Sequence, residues 1–71
     1  MNLIDIGHAV GARRVELGLT QAQLARLSGL ARQALVRLED GTLSDLGVDR
    51  VGQVLAVLGL DFILTALMFS I

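Results

Sequence analysis

Apolar and polar positions alternate through the first sixty residues with the three- and four-residue spacing of helices. Ile6, Val10 and Leu17 share one face of a first segment, with His8, Arg13 and Glu16 elsewhere, and Asp5 is placed as its N-cap. Gly18-Leu19 reads as a helix stop, in which the glycine turns left-handed and the next apolar residue folds back. Thr20 opens a second helix with Gln23 at the capping-box spacing, and Leu24, Ala25 and Leu27 form its buried side. After Gly29, Leu30 is apolar where a loop is normally polar, so it is expected to plug the core. A third helix is predicted from Arg32 to Glu39, burying Leu35 and Leu38, with the poor cap Ala31 before it and Asp40-Gly41 after it. Ser44 or Asp45 is expected to cap a fourth helix with Val48, Val51, Leu55 and Leu58 inward, ended by Gly59-Leu60. Phe62 to Ile71 is too short for a stable helix of its own and rich in β-formers, and reads as a strand.

Length sets this pattern in one domain, because 71 residues cannot fill two cores. Residues 1–60 are assigned to the helical part and 61–71 to the strand. At 54% hydrophobic the chain is too apolar for intrinsic disorder. It has no cysteine, hence no disulfide, thiolate zinc site or thiol nucleophile, and a single histidine, His8, cannot make a multi-histidine metal site. His8 reads as an ordinary surface or core histidine. No catalytic residue, metal ligand or cofactor is assigned, and an enzyme is not expected. The N-terminus lacks the positive flank of a signal peptide. The apolar run from Val54 to Ile71 approaches a membrane span in length, but Asp61 and Gly59 divide it. No membrane partner is expected.

Net charge is −1, which argues against a general nucleic-acid binder, yet its distribution changes the picture. Five of the six arginines (Arg13, Arg14, Arg26, Arg32 and Arg37) fall between positions 13 and 37, where Glu16 is the only acid. Arginine suits forked hydrogen bonding of phosphate and guanine. The stretch from Thr20 to Glu39 then reads as two short helices joined by a glycine turn, a helix-turn-helix. In it Ala25 is small where the second helix crosses, Gly29 permits positive φ, and Leu24, Leu30, Leu35 and Leu38 bury the unit.

These residues resemble the Cro/repressor (Xre) class of DNA-binding domains. The likeness is carried by Leu17-Gly18-Leu19-Thr20-Gln21, Leu24-Ala25, Gly29-Leu30, Arg32-Gln33, Leu35, Leu38-Glu39 and Gly41, over roughly residues 5 to 60. The Arg13-Arg14 start and the closing Leu58-Gly59-Leu60 more narrowly resemble the HipB-like antitoxins. Ala31, where Ser or Thr is common, and the acidic Asp40 depart from the pattern. The resemblance implies an all-α, lambda-repressor-like bundle of four to five helices with a short C-terminal dimerising β-strand. It puts the helix from Arg32 in the major groove, with Arg32, Gln33, Val36 and Arg37 at base edges and Thr20, Gln21 and Arg13 at phosphates. Arg14 and Glu39 would form a partly buried structural ion pair. Phe62, Ile63, Leu64, Leu67 and Phe69 would join two copies.

The implied function is a cytoplasmic, nucleoid-associated repressor, a homodimer on an inverted-repeat operator of double-stranded DNA. In the narrower reading it is an antitoxin that also neutralises a HipA-like serine/threonine kinase toxin. A free-standing Xre or phage-type regulator remains the alternative within that class, and an interaction module that has lost DNA binding is the alternative outside it.

Overall fold

The computed structural model describes residues 2–60, which form four helices: α1 (Leu3–Glu16), α2 (Gln21–Ser28), α3 (Arg32–Asp40) and α4 (Val48–Val57). The expected C-terminal strand, with Phe62, Ile63, Leu64, Leu67 and Phe69, lies outside the described residues. Among the described residues, no helix is long and apolar enough to cross a membrane.

Helix ends follow from local chemistry. Helix α1 starts earlier than the sequence suggests: Asn2, not Asp5, is the cap, and its side chain accepts from the Asp5 amide at 2.9 Å. Asp5 sits in the first turn, where its charge meets the unpaired amides and positive dipole end. The end of α1 is a Schellman motif, with Leu19 N–H on the Arg14 carbonyl (3.1 Å) and Gly18 N–H on that of Val15 (3.0 Å). Gly59 and Leu60 repeat it after α4, on Ala56 (3.2 Å) and Leu55 (2.7 Å). Gly18 has φ +70° and Gly59 φ +71°, the left-handed region that disfavours any side chain. Thr20 and Gln23 form a reciprocal capping box on α2, and Ala31 caps α3 with no side-chain hydrogen bond.

Helix α4 begins later than expected. Neither Ser44 nor Asp45 caps it; Gly47 does, without a side-chain hydrogen bond. The reason is packing, because Leu43 and Leu46 lean on the core and hold the segment before α4 out of helical conformation.

The core contains Ile6, Val10, Leu24, Ala25, Leu30, Leu35, Leu38, Val51, Val54, Leu55 and Leu58. Leu30 is thus the plug that its apolar character implied. Three expected core residues are not in it: Leu17, the C-cap of α1, Val48 in the first turn of α4, and Leu27, which is 60% exposed. In α2 the inward stripe runs through Leu24, Ala25 and Ser28, one position away from Leu27. Ser28 is buried in its place because its hydroxyl donates to the Leu24 carbonyl at 2.7 Å, so no polar group is orphaned. In α4 Val54 faces inward and Val48 outward.

Helix α1 packs on α3, and α2 packs on both α3 and α4. Helices α1 and α3 meet closely at Gly7, which is buried against the Leu38 carbonyl; a Cβ built there would overlap that group. One turn later a Cβ on Gly11 would stand 3.2 Å from Glu39 Oε1. Gly7→Ala is therefore expected to lower stability by about 1–3 kcal/mol through overpacking, even though alanine is the better helix former by about 1 kcal/mol. Thermal unfolding followed by circular dichroism checks this; a melting temperature at or above the parent's would show that the crossing relaxes freely.

Candidate nucleic-acid interface

Leu35 and Leu38 anchor one side of α3 in the core, which leaves the opposite side in solvent. Arg32 and Gln33 are exposed there, Val36 is half-buried, and the three line one shallow groove. Periodicity explains the grouping: Arg32 and Val36 are four residues apart on one stripe, and Gln33 occupies the adjacent stripe at the start of the helix. Arginine and glutamine there offer forked donors and acceptors, and Val36 offers a methyl-sized apolar contact, the chemistry that major-groove edges of guanine, adenine and thymine require.

Arg37, one turn beyond Gln33, is exposed but stands outside that groove, and its Nη2 donates to the Thr42 carbonyl at 3.2 Å. Beside it Asp40 accepts from the Thr42 amide at 2.9 Å and from the Thr42 hydroxyl. The hydroxyl bond, then the amide bond, and the Arg37 charge hold the Asp40 carboxyl below its ordinary range, so it is anionic at neutral pH. The acid beside the basic face is thus tied into the turn after α3.

Thr20 and Gln21 open α2. The capping box engages the Thr20 amide with Gln23 Oε1 (2.8 Å) and the Gln23 amide with Thr20 Oγ1 (3.0 Å). The amides of Gln21 and Ala22 lie in the first turn, where helix geometry supplies no carbonyl and favours an anion. The Gln21 side chain turns toward the end of α3 and donates to Glu39 Oε1 at 3.3 Å.

Glu39 is the hub of that corner. Arg14 binds it in a fork, Nε to Oε2 at 2.8 Å and Nη2 to Oε1 at 3.0 Å, and its third nitrogen, Nη1, donates to the Leu19 carbonyl at 2.8 Å. The side chains are 17% and 9% exposed, so the pair is largely withdrawn from water. The Glu39 hydrogen bond raises the Arg14 pKa above its usual value and Glu39's charge adds to this, while burial works against it; the guanidinium stays charged at any accessible pH. Four parts of the chain meet here: α1, the turn before α2, the start of α2 and the end of α3.

Arg13 is not brought to this corner. Its Nε donates to the Leu58 carbonyl at 3.1 Å, covering the C-cap of α4, and Nη1 pairs with Glu16 at 3.3 Å. Residue types alone hid three participants: the Leu19 carbonyl, the Gly7–Gly11 seam and Thr42. The two glycines, four apart on a helix, were a legible sign of close approach. The carbonyl and the threonine had no sign, because each acts through its position.

With this geometry in view, comparison with known proteins shows that a family model described as Helix-turn-helix matches residues 10–64. The chain belongs to this family, of the Xre type, whose members are transcriptional regulators that bind double-stranded DNA. No curated protein and no solved structure matches it.

Removing either partner of the Arg14–Glu39 fork leaves the other without its counter-charge in a part-buried position. Loss of stability should fall between the ~1 kcal/mol of an exposed pair and the ~3–5 kcal/mol of a fully buried one, at about 2–3 kcal/mol. Urea unfolding of Arg14→Met, Glu39→Gln and the double variant checks it. The double variant should lose less than the two singles together; singles as stable as the parent would mean the pair contributes nothing.

Proposed function

We propose that the chain is a sequence-specific repressor whose α3 enters the major groove, reading bases with Arg32, Gln33 and Val36 while the start of α2 at Thr20 and Gln21 holds phosphate. The observation that carries this reading is the exposed groove of Arg32, Gln33 and Val36 on the outer side of a helix whose inner side is locked by Leu35 and Leu38. Docking of this motif places the first residues of the second helix at base edges, and Arg32 and Gln33 are the first two residues of α3. Arg13 retains a phosphate role only in part, since its Nε is engaged by Leu58.

Two copies bind one operator, related by a two-fold axis that matches an inverted repeat. The copies join through residues 61–71, with Phe62, Ile63, Leu64, Leu67 and Phe69 as apolar contacts. That segment carries one charge, Asp61, and as an unpaired strand it would offer both an apolar surface and an open backbone edge. In the narrower form of this reading the repressor is an antitoxin controlling its own operon, and a HipA-like serine/threonine kinase is the toxin it neutralises. Arg13-Arg14 and Leu58-Gly59-Leu60 support that form by resemblance. Purification of the tagged chain from its native operon tests it: a co-purified kinase supports the antitoxin role, and a chain that comes alone yet footprints its promoter supports a free-standing regulator.

Replacing Arg32 or Gln33 by alanine should weaken operator binding by about 1–3 kcal/mol for each lost forked contact. Because Gln33 is uncharged, binding to random DNA should hardly change for Gln33→Ala. Gel-shift titration on both duplexes decides the matter; equal losses would rule out base reading by Gln33.

A dimer making about six to eight phosphate contacts should lose affinity with salt at a log–log slope of about −5 to −7. Sedimentation should give a dimer at micromolar concentration, and a monomer once residues 61–71 are deleted. A slope near −1, or a dimer that survives the deletion, would contradict this arrangement.

A further inference from the structure

The second arginine of α3 is held differently from the first. Arg32 lines the outer groove, whereas Arg37 turns toward the exit of its helix and donates Nη2 to the Thr42 carbonyl at 3.2 Å. The same turn is fastened to Arg37 through the backbone, since the Arg37 carbonyl accepts the amides of Thr42 (3.0 Å) and Leu43 (3.1 Å). Gly41, at φ +81°, makes the reversal, and the Asp40 carboxylate closes it by accepting from the Thr42 amide and hydroxyl. Arg37 and the turn are therefore one hydrogen-bonded unit.

This arrangement has a chemical consequence. Reading guanine needs an arginine extended into the groove with two parallel N–H groups on O6 and N7 of one base. A guanidinium drawn back onto a main-chain carbonyl is not extended into the groove. Phosphate oxygens accept donors over a wide range of directions and so suit a cation held at one place on the rim. We infer that Arg37 is a phosphate anchor of the DNA-bound dimer and reads no base, that Asp40 and Thr42 position it, and that Arg32, Gln33 and Val36 carry the sequence information. This inference rests on α3 being the groove helix and moves Arg37 from base reading to backbone binding.

The test is selection of the full chain and Arg37→Ala on a pool of randomised duplexes, followed by titration on the winning duplex and on a fixed random-sequence duplex. Arg37→Ala should select the same consensus, weaken both duplexes by the same factor, and reduce the magnitude of the salt slope by about one for each protomer. Arg37→Lys, which keeps the charge without the fork, should restore most of the slope and keep the consensus. Circular dichroism should show both variants folded, since the Arg37 side chain is exposed. A changed base in the consensus, or a roughly ten- to hundredfold loss on the winning duplex alone, would overturn the inference and return Arg37 to base reading. Unchanged binding on both duplexes would overturn it too. A parent chain that selects no duplex at all would instead defeat the reading of α3 as the groove helix.

Discussion

The approach of α1 to α3 at Gly7 is the constraint on which the rest of the arrangement depends. With no side chain at Gly7, the α1 backbone lies on the Leu38 carbonyl, and the next turn brings Gly11 beside the Glu39 carboxylate. Only at that separation does Arg14, one further turn along, reach Glu39 with both arms of its fork. A larger residue at position 7 would lift α1 away from α3 and lengthen both Arg14–Glu39 bonds together. The polar corner is thus a product of the apolar crossing, and the crossing is possible because a glycine occupies it.

The groove reading proposed for α3 needs that helix presented at a fixed angle, and two different kinds of contact fix it. Leu35 and Leu38 seat its middle in the core without directional preference, as burial does. The Arg14–Glu39 fork, joined by Gln21, adds direction at its C-terminal end and ties that end to the start of α2. Base reading tolerates little misplacement of hydrogen-bonding groups, so the directional contacts matter beyond their share of stability. The same network lets an overall charge of −1 coexist with the DNA-binding face proposed for α3. Glu39 is neutralised by Arg14, Asp40 is engaged by Thr42 beside Arg37, and Arg32 stands in the open groove.

The helix stops and the core of the helix-turn-helix were legible in the sequence because their causes are local. Gly18-Leu19, Gly59-Leu60 and the Thr20–Gln23 box each act within six residues, and the backbone geometry answers to them directly. Leu24, Leu30, Leu35 and Leu38 are buried as their spacing implied. The misassigned positions share a different cause. Leu27 and Val48 obey helical spacing, yet a two- or three-turn helix has several apolar stripes and only its neighbours choose one. Leu43 and Leu46 delayed α4 past Ser44 and Asp45 for the same reason, since core contact outweighed a local capping signal.

What the sequence by itself determined is the set of helices, the glycine reversals between them and the chemical character of the outer side of α3. All of these follow from propensity, capping and periodicity over a few residues. What only the tertiary structure decided is which side chains are already engaged: Arg13 by Leu58, Gln21 by Glu39, Arg37 by Thr42, with Arg32 and Gln33 left in the groove. Five arginines in one stretch look alike as letters. Their roles separate once a carbonyl or carboxylate distant in sequence stands within hydrogen-bonding reach, as Leu58 does for Arg13 and Glu39 for Arg14, because that distance is set by how the helices cross and not by the residues beside each arginine.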